Sequence, residues 1–180
     1  RDGGWPQWFL GGFLLMGGSV TMFNYIGYRL LALPYLLSQA VVGLISVVYL
    51  TGSYSSPKGG ALTARYGRGA VLSIAILLML AGLGVTALSP LFAIFGGMML
   101  FTAGFFAAHS VASSWIGQRA RRAKGQASSM YLFSYYLGSS LAGTLGGFFW
   151  HSFGWMGITT FLSALLLLAL VVSLILKHRL

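Results

Sequence analysis

Six long apolar segments separated by short polar gaps constrain the fold of this chain more than any other feature. Each segment is close to or longer than the roughly 20 apolar residues that a helix needs to cross a bilayer. In a soluble domain these segments would leave long apolar surfaces in water. The pattern therefore predicts an all-α membrane protein. The predicted transmembrane helices cover residues 5–28, 35–54, 70–88, 91–117, 125–150 and 157–176.

The basic residues are distributed unequally between the two sets of gaps. All but one lie at the chain ends or in alternate gaps, and the exception is Arg29. Short loops rich in Lys and Arg stay in the cytoplasm, so both termini and the gaps around 55–69 and 118–124 are predicted to be cytoplasmic. This orientation indicates a multi-pass membrane protein with both termini in the cytoplasm. The basic residues on the predicted cytoplasmic side are Arg1, Lys58, Arg65, Arg68, Arg119, Arg121, Arg122, Lys124, Lys177 and Arg179.

The net charge of +10 and the residue types present exclude other functional classes. The positive charges lie in short loops beside predicted spans, where they set topology and attract anionic lipid heads, so we expect no nucleic-acid partner. The three histidines lie on different elements, there is no cysteine, and Asp2 is the only acid. We therefore expect no catalytic residues, no metal site and no cofactor, and a protein that is not an enzyme.

The six predicted helices are of two kinds. The third and sixth are almost purely apolar and suit lipid contact, whereas the other four carry polar and aromatic stripes that should face a cavity or other protein groups. The order cavity, cavity, lipid then occurs twice, as expected for two three-helix inverted repeats. The candidate substrate-cavity residues are Asn24, Tyr25, Gln39, Ser46, Tyr49, His109, Ser113, Tyr131 and Tyr135.

Each candidate also has a structural explanation. Hydroxyls in membrane helices usually bond to a carbonyl one turn earlier. His109 could exchange protons, or it could be a neutral ring held by a neighbouring hydroxyl, and the lack of membrane carboxylates slightly favours the second explanation. Aromatic residues near span ends are often interface anchors. That role is preferred for Trp5, Trp8, Trp115, Trp150 and Trp155.

The segment 57–69 carries a spaced set of glycine and basic residues. Gly60, Leu62, Arg65, Gly67 and Arg68 are similar to the signature loop between the second and third helices of each half of the major facilitator superfamily. The glycines of such a loop permit a tight turn, and the basic residues can bind helix carbonyls. The resemblance implies that Gly60, Arg65, Gly67 and Arg68 form a gating motif.

Two departures from the family pattern indicate which half of a transporter this chain resembles. Ala64 stands in place of the usual acid and Gly69 in place of a basic residue. Such erosion is typical of the second copy of the loop, so the resemblance is to the C-terminal six-helix half.

The fifth predicted helix carries small residues at regular spacing. Gly138, Ala142, Gly146 and Gly147 resemble the antiporter motif of the superfamily, with Ala142 and Gly143 at its Gly-Pro positions. Small residues spaced four apart allow helices to pack closely in a membrane. We therefore predict that this face packs against another helix.

The resemblance covers essentially the whole chain and is nearest to bacterial drug/proton antiporters and sugar-efflux permeases. It implies one half of a 12-helix fold, alternating access, and proton-coupled export of small organic molecules. The partners would be the substrate, the lipid bilayer and an N-terminal half of the same polypeptide. The linker-like start and the missing initial Met favour this interpretation over a stand-alone six-helix channel or scaffold that acts as a homo-oligomer.

Overall fold

The computed structural model describes residues 5–119 and 124–178, and these residues form helices and short connections with no strand among them. Five helical segments in this part of the chain are long and apolar enough to cross a membrane. The chain is therefore an all-helical membrane protein. The elements in chain order are α1 (Trp5–Leu31), α2 (Gln39–Gly43), a 3₁₀ segment (Leu44–Tyr49), α3 (Leu50–Tyr66), α4 (Arg68–Thr86), α5 (Leu91–Arg119) and α6 (Lys124–His178).

The predicted helix at 35–54 is wrong at both ends. Residues 32–38 form a turn, and the hydroxyl of Ser38 caps α2 by accepting a hydrogen bond from the Val41 N–H at 3.3 Å. From Gln39, α2, the 3₁₀ segment and α3 form one continuous helical stretch that ends at Tyr66. The glycine- and serine-rich stretch that suggested a loop is therefore helical, and Pro57 lies inside α3.

Close packing on α5 explains why α3 stays helical in this stretch. An added Cβ at Gly52 would overlap the Phe106 ring, lying 2.6 Å from its Cγ, and one at Gly59 would lie 3.1 Å from the Cα of Ala107. The two glycines are seven residues apart and so share one helix face. The helix ends only at Gly67, whose φ of 78° favours glycine. Only Gly67 therefore separates α3 from α4, and the predicted loop at 55–69 is wrong.

The predicted helices 125–150 and 157–176 correspond to two arms of α6. The break lies at Gly154, with φ 58° and ψ −143°, a conformation largely restricted to glycine. The rings of Phe149 and Phe161 stack with centroids 4.6 Å apart, whereas a straight helix would separate these residues by about 18 Å. The arms therefore fold back on each other, and helix extends into the predicted gap at 151–156.

The core lies between α1, α4, α5 and the second arm of α6. Its fully buried side chains include Met22, Met79 and Phe101, and Ser73 of α4 shares a 2.9 Å hydrogen bond with Ser173 of α6. One face of α4 and one face of the second arm are thus buried in the bundle. Their other faces expose an apolar series of side chains, namely Ile74, Leu77, Leu78, Leu167, Leu168 and Val171. Lipid contact on these outer faces stays a prediction.

Three tryptophans that were expected to anchor the membrane interface are instead core residues. Trp8 and Trp115 pack edge to face with centroids 4.0 Å apart, and both are buried, as is Trp155. The expectation was wrong for these three, because their rings fill space between helices. The indole N–H of Trp155 donates to the backbone carbonyl of Thr86.

Candidate functional site

An aromatic wall joins four helical elements on one side of the bundle. It consists of Phe23 on α1, Tyr49 on the 3₁₀ segment, Phe105, Phe106 and His109 on α5, and Tyr131 and Tyr135 on α6. Neighbouring ring centroids in the wall are 4.8–6.1 Å apart. These separations are in the range of favourable ring contacts. Three helices distant in sequence therefore build one continuous aromatic surface with the 3₁₀ segment.

A hydrogen bond between His109 and Tyr131 lies at the centre of the wall. The distance from Nδ1 to the phenolic oxygen is 3.1 Å, and Tyr131 is only 2% exposed. The phenolic proton has no other acceptor in the described part of the chain, so we assign Tyr131 as the donor. Nδ1 then accepts, and the ring proton of a neutral His109 lies on Nε2.

Glycine at position 12 makes room for this arrangement. An added Cβ at Gly12 would lie 2.5 Å from the Tyr131 ring. The side chain of Tyr131 can therefore lie against α1 and reach His109 only because α1 carries no side chain at this point. No feature of the α6 sequence alone indicated this dependence.

Two hydroxyl groups of the wall have no hydrogen-bond partner within the described ranges. They belong to Tyr49, which is 41% exposed, and to Tyr135, which is half-buried. The ring of Tyr135 lies 5.0 Å from that of His109, and the ring of Tyr49 lies 5.9 Å from that of Phe106. Four of the candidate cavity residues thus meet in the wall, together with phenylalanines that the sequence analysis did not select.

The remaining candidates lie elsewhere. The Tyr25 hydroxyl donates to the carbonyl of Gly143 at 2.8 Å, which ties α1 to α6, and Asn24 is exposed beside it in sequence. Ser113 donates to the Ser110 carbonyl at 3.2 Å, the backbone bonding that was the alternative to a substrate role. Gln39 and Ser46 are exposed and belong to no ring contact of the wall.

The small residues of α6 face α1. An added Cβ at Gly138 would lie 2.7 Å from the Cα of Phe13, and one at Gly146 would lie 2.7 Å from both Thr21 and Tyr25. Between them, Ala142 meets Gly17, and Gly147 lies one residue further along beside the Tyr25 hydroxyl. The backbones of α1 and of the first arm of α6 therefore approach closely over several turns. This contact positions Tyr131 and Tyr135 relative to α1.

Arg29 forms an arginine clamp that the sequence analysis missed. Its guanidinium donates to the carbonyl of Thr86 at the end of α4, to that of Leu88 two residues later, and to the hydroxyl of Tyr35. It also lies over the Trp155 ring, 5.2 Å from the centroid, and the Trp155 N–H donates to the Thr86 carbonyl at 3.2 Å. The clamp thus ties α1, α4 and the second arm of α6. A lone arginine among uncharged gaps was the available sequence signal.

The residues of the predicted gating motif are separated by the end of α3. Gly60 and Arg65 lie within α3, Gly67 forms the turn, and Arg68 begins α4 with its guanidinium 5.5 Å from the Trp115 ring centroid. The Arg65 side chain is exposed and lies over the ring of Tyr66. The side chains of the second basic gap, at 118–124, lie outside the described residues.

The described ranges contain no acidic side chain and no metal-binding cluster. Asp2, the only acid of the sequence, lies outside the described ranges. Within those ranges no group of three or more His, Cys, Asp or Glu side chains could hold a metal ion. The wall therefore offers a ligand ring faces and neutral hydrogen-bonding groups.

Comparison with known proteins finds transporters. The inner membrane transport protein YnfM of Escherichia coli K12 is 63% identical over 180 residues, which is all of this chain and 43% of that protein. An uncharacterized transporter of Buchnera aphidicola subsp. Schizaphis graminum is 53% identical over 166 residues, 92% of this chain and 40% of its own length. The uncharacterized MFS-type transporter YybF of Bacillus subtilis is 47% identical over 165 residues, 92% and 41% respectively.

The matches cover only part of each relative. The chain spans less than half the length of the curated relatives it matches. No protein-family model matches it.

Proposed function

Because this chain belongs to the family of YnfM and other MFS-type transporters, we propose that it is the C-terminal half of a secondary active transporter. The observation that carries the proposal is the 63% identity with a transport protein over the whole chain. The missing partner is an N-terminal half of the same polypeptide, and the location is a bacterial inner membrane. Transport would proceed by alternating access, with the two halves rocking around a shared site.

The aromatic wall is the contribution of this half to the substrate site. Rings from α1, α5 and α6 lie on one surface and leave the hydroxyls of Tyr49 and Tyr135 available to a ligand. Polar groups at membrane depth are retained where they bind substrate or one another. The direction that we propose is export of small organic molecules, coupled to protons. Because Asp2 is the sole acid here, the coupling carboxylates would come from the other half.

A transport assay on the complete polypeptide tests this proposal. Everted membrane vesicles that contain it should accumulate members of a substrate panel when an inward-acidic pH gradient is imposed, and lose them when the gradient is collapsed. Vesicles without the protein supply the background. Gradient-independent, non-saturable flux would instead support the channel alternative, and absence of flux for every compound would contradict the proposal.

The proposed topology has six crossings, with α6 contributing one in each arm. Each arm is longer than the roughly 20 residues needed to span a bilayer. We predict that single cysteines near Ser89 and Ser152 react with an impermeant thiol reagent added from outside. Cysteines at Lys58 and near Gly67 should stay unmodified until the membrane is permeabilised, because basic segments resist translocation. The reverse labelling pattern would overturn the orientation.

His109 is expected to modulate proton coupling without carrying it. Its Nδ1 accepts from the Tyr131 hydroxyl, and no carboxylate lies in the described ranges to relay a proton onward. In the complete polypeptide, His109→Gln should retain gradient-driven transport with at most a shifted pH optimum, because the amide can still accept from Tyr131.

A second substitution separates titration from hydrogen bonding. His109→Phe leaves the buried Tyr131 hydroxyl without an acceptor, which should cost about 1–3 kcal/mol of stability. Thermal unfolding should therefore distinguish Phe from Gln at this position. Complete loss of coupling in His109→Gln, with substrate binding intact, would instead make His109 the proton carrier.

A further inference from the structure

The polar groups that the aromatic wall offers to a ligand are hydrogen-bond donors. With Tyr131 donating to Nδ1, the neutral His109 ring carries its remaining proton on Nε2. The hydroxyls of Tyr49 and Tyr135 add two O–H groups without partners within the described ranges. Hydroxyls can accept as well as donate, but no carboxylate or amide side chain belongs to the wall. The set therefore favours a ligand that brings acceptors.

The described ranges contain no acidic side chain, which also favours a ligand that brings acceptors over a cation. Asp2, the one acid of the sequence, lies outside those ranges. A charged ligand loses its hydration in such a site and needs compensation. A cation would gain ring-face attraction, about 0.5–2 kcal/mol, and hydrogen bonds to neutral hydroxyl oxygens, but it would find no anionic partner in the wall. A carboxylate would accept charge-assisted hydrogen bonds, which are roughly twice as strong as neutral ones.

The rings supply a second requirement. Phe23 and Tyr49 are stacked at 4.8 Å with an interplanar angle of 20°, and Tyr49 is the exposed member of the pair. The exposed part of the Tyr49 ring can contact another flat ring at a similar separation. A ligand that uses both the ring surface and the donors combines an aromatic group with an anionic acceptor.

We infer that the substrate class of the aromatic wall is an organic anion that carries an aromatic ring, such as an aromatic carboxylate. The ring stacks on the Tyr49 side of the wall, and the carboxylate accepts from the O–H groups of Tyr49 and Tyr135 and from Nε2–H of His109. This inference rests on the proposed transport function and specifies its substrate.

A matched set of three probes tests the inference on the purified complete polypeptide. The probes are 2-naphthoate, 2-naphthamide and 2-naphthylmethylammonium, which share one ring system and differ in charge. Binding is measured by titration calorimetry at a pH where both charges are fixed. We expect 2-naphthoate to bind at least about tenfold more tightly than the ammonium, with the amide between them.

Tyrosine variants test whether a hydroxyl of the wall produces the preference for the carboxylate. Tyr135→Phe keeps the ring and removes one donor, so it should weaken 2-naphthoate about tenfold and leave the ammonium almost unchanged. Tyr66→Phe removes an exposed hydroxyl on α3 outside the wall and should change neither value.

These binding results test the ligand class of the wall independently of the transport assay. Equal or tighter binding of the ammonium, equal effects of the two variants, or no binding of any probe would overturn the inference. None of these results would contradict transport of a different compound in vesicles. Selective naphthoate binding without gradient-driven flux of any compound would uphold the inference about the wall and overturn the transporter proposal.

Discussion

Replacement of Gly138 by alanine is expected to destabilise the protein by about 2–3 kcal/mol, through overpacking of α6 against α1. The added Cβ would lie 2.7 Å from both the carbonyl carbon and the Cα of Phe13. These are backbone atoms, so no flexible side chain can move aside and the two helices must separate. Thermal unfolding of the complete polypeptide in detergent should show a clear decrease in Tm, with a lower yield of monodisperse protein.

Gly143→Ala is the matched control for this experiment. It lies five residues further along the same helix, and an added Cβ there would meet its nearest neighbour, the Asn24 side chain, at an ordinary 3.8 Å. Alanine is favoured over glycine in a helix by roughly 1 kcal/mol, so this variant should be neutral or slightly stabilised. Equal Tm values for the two alanine variants would contradict the close helix contact.

Loss of the arginine clamp is expected to have an effect of similar size. Arg29→Gln removes two charge-assisted hydrogen bonds to carbonyls at and just after the end of α4 and one to Tyr35. A hydrogen bond to a charged group contributes about 1.5–3 kcal/mol, and the positive charge also suits a helix C-terminus. After partial replacement by the glutamine amide, we expect a net loss of roughly 3 kcal/mol, measured as a decrease in Tm.

The geometry of the clamp predicts a poor rescue by lysine. The guanidinium fork reaches several acceptors at once and stacks on the Trp155 ring, whereas an ammonium is a single point charge. Arg29→Lys should therefore recover less than half of the lost stability. Arg65→Gln, at an exposed arginine on α3, should change stability by no more than about 0.5 kcal/mol. A Tm for Arg29→Gln within the error of that control would contradict the clamp.

Apolar length predicted the presence and approximate position of the helices, but not every boundary. The segment 55–66 was placed in a loop because it contains two adjacent glycines and Pro57. Its helical state depends on the surface of α5, since Gly52 and Gly59 allow the backbone of α3 to approach that helix. Information about a facing helix is not contained in the local sequence, so tertiary packing overrode weak helix propensity here.

The residues of the candidate site were likewise predicted only in part. Helical spacing selected Tyr131 and Tyr135 together, and the structure places them beside His109. Helical spacing could not select Phe105 or Phe106, because phenylalanines occur throughout these helices as ordinary core residues. Trp155 and Arg29 were assigned separately to an interface and to topology, whereas they form one contact across elements 126 positions apart in sequence.

The break at Gly154 links the two arms of α6 during biogenesis. Phe149 and Phe161 already stack across the turn, so almost no chain is left to separate the arms while the polypeptide is being synthesised. We expect the arms to enter the bilayer together as a helical hairpin, with the connecting residues carried across at little cost because 151–156 contain no Lys or Arg. A bulkier residue at position 154 would disfavour the required positive φ. Its effect should therefore appear first as failed insertion and proteolytic removal of the nascent chain.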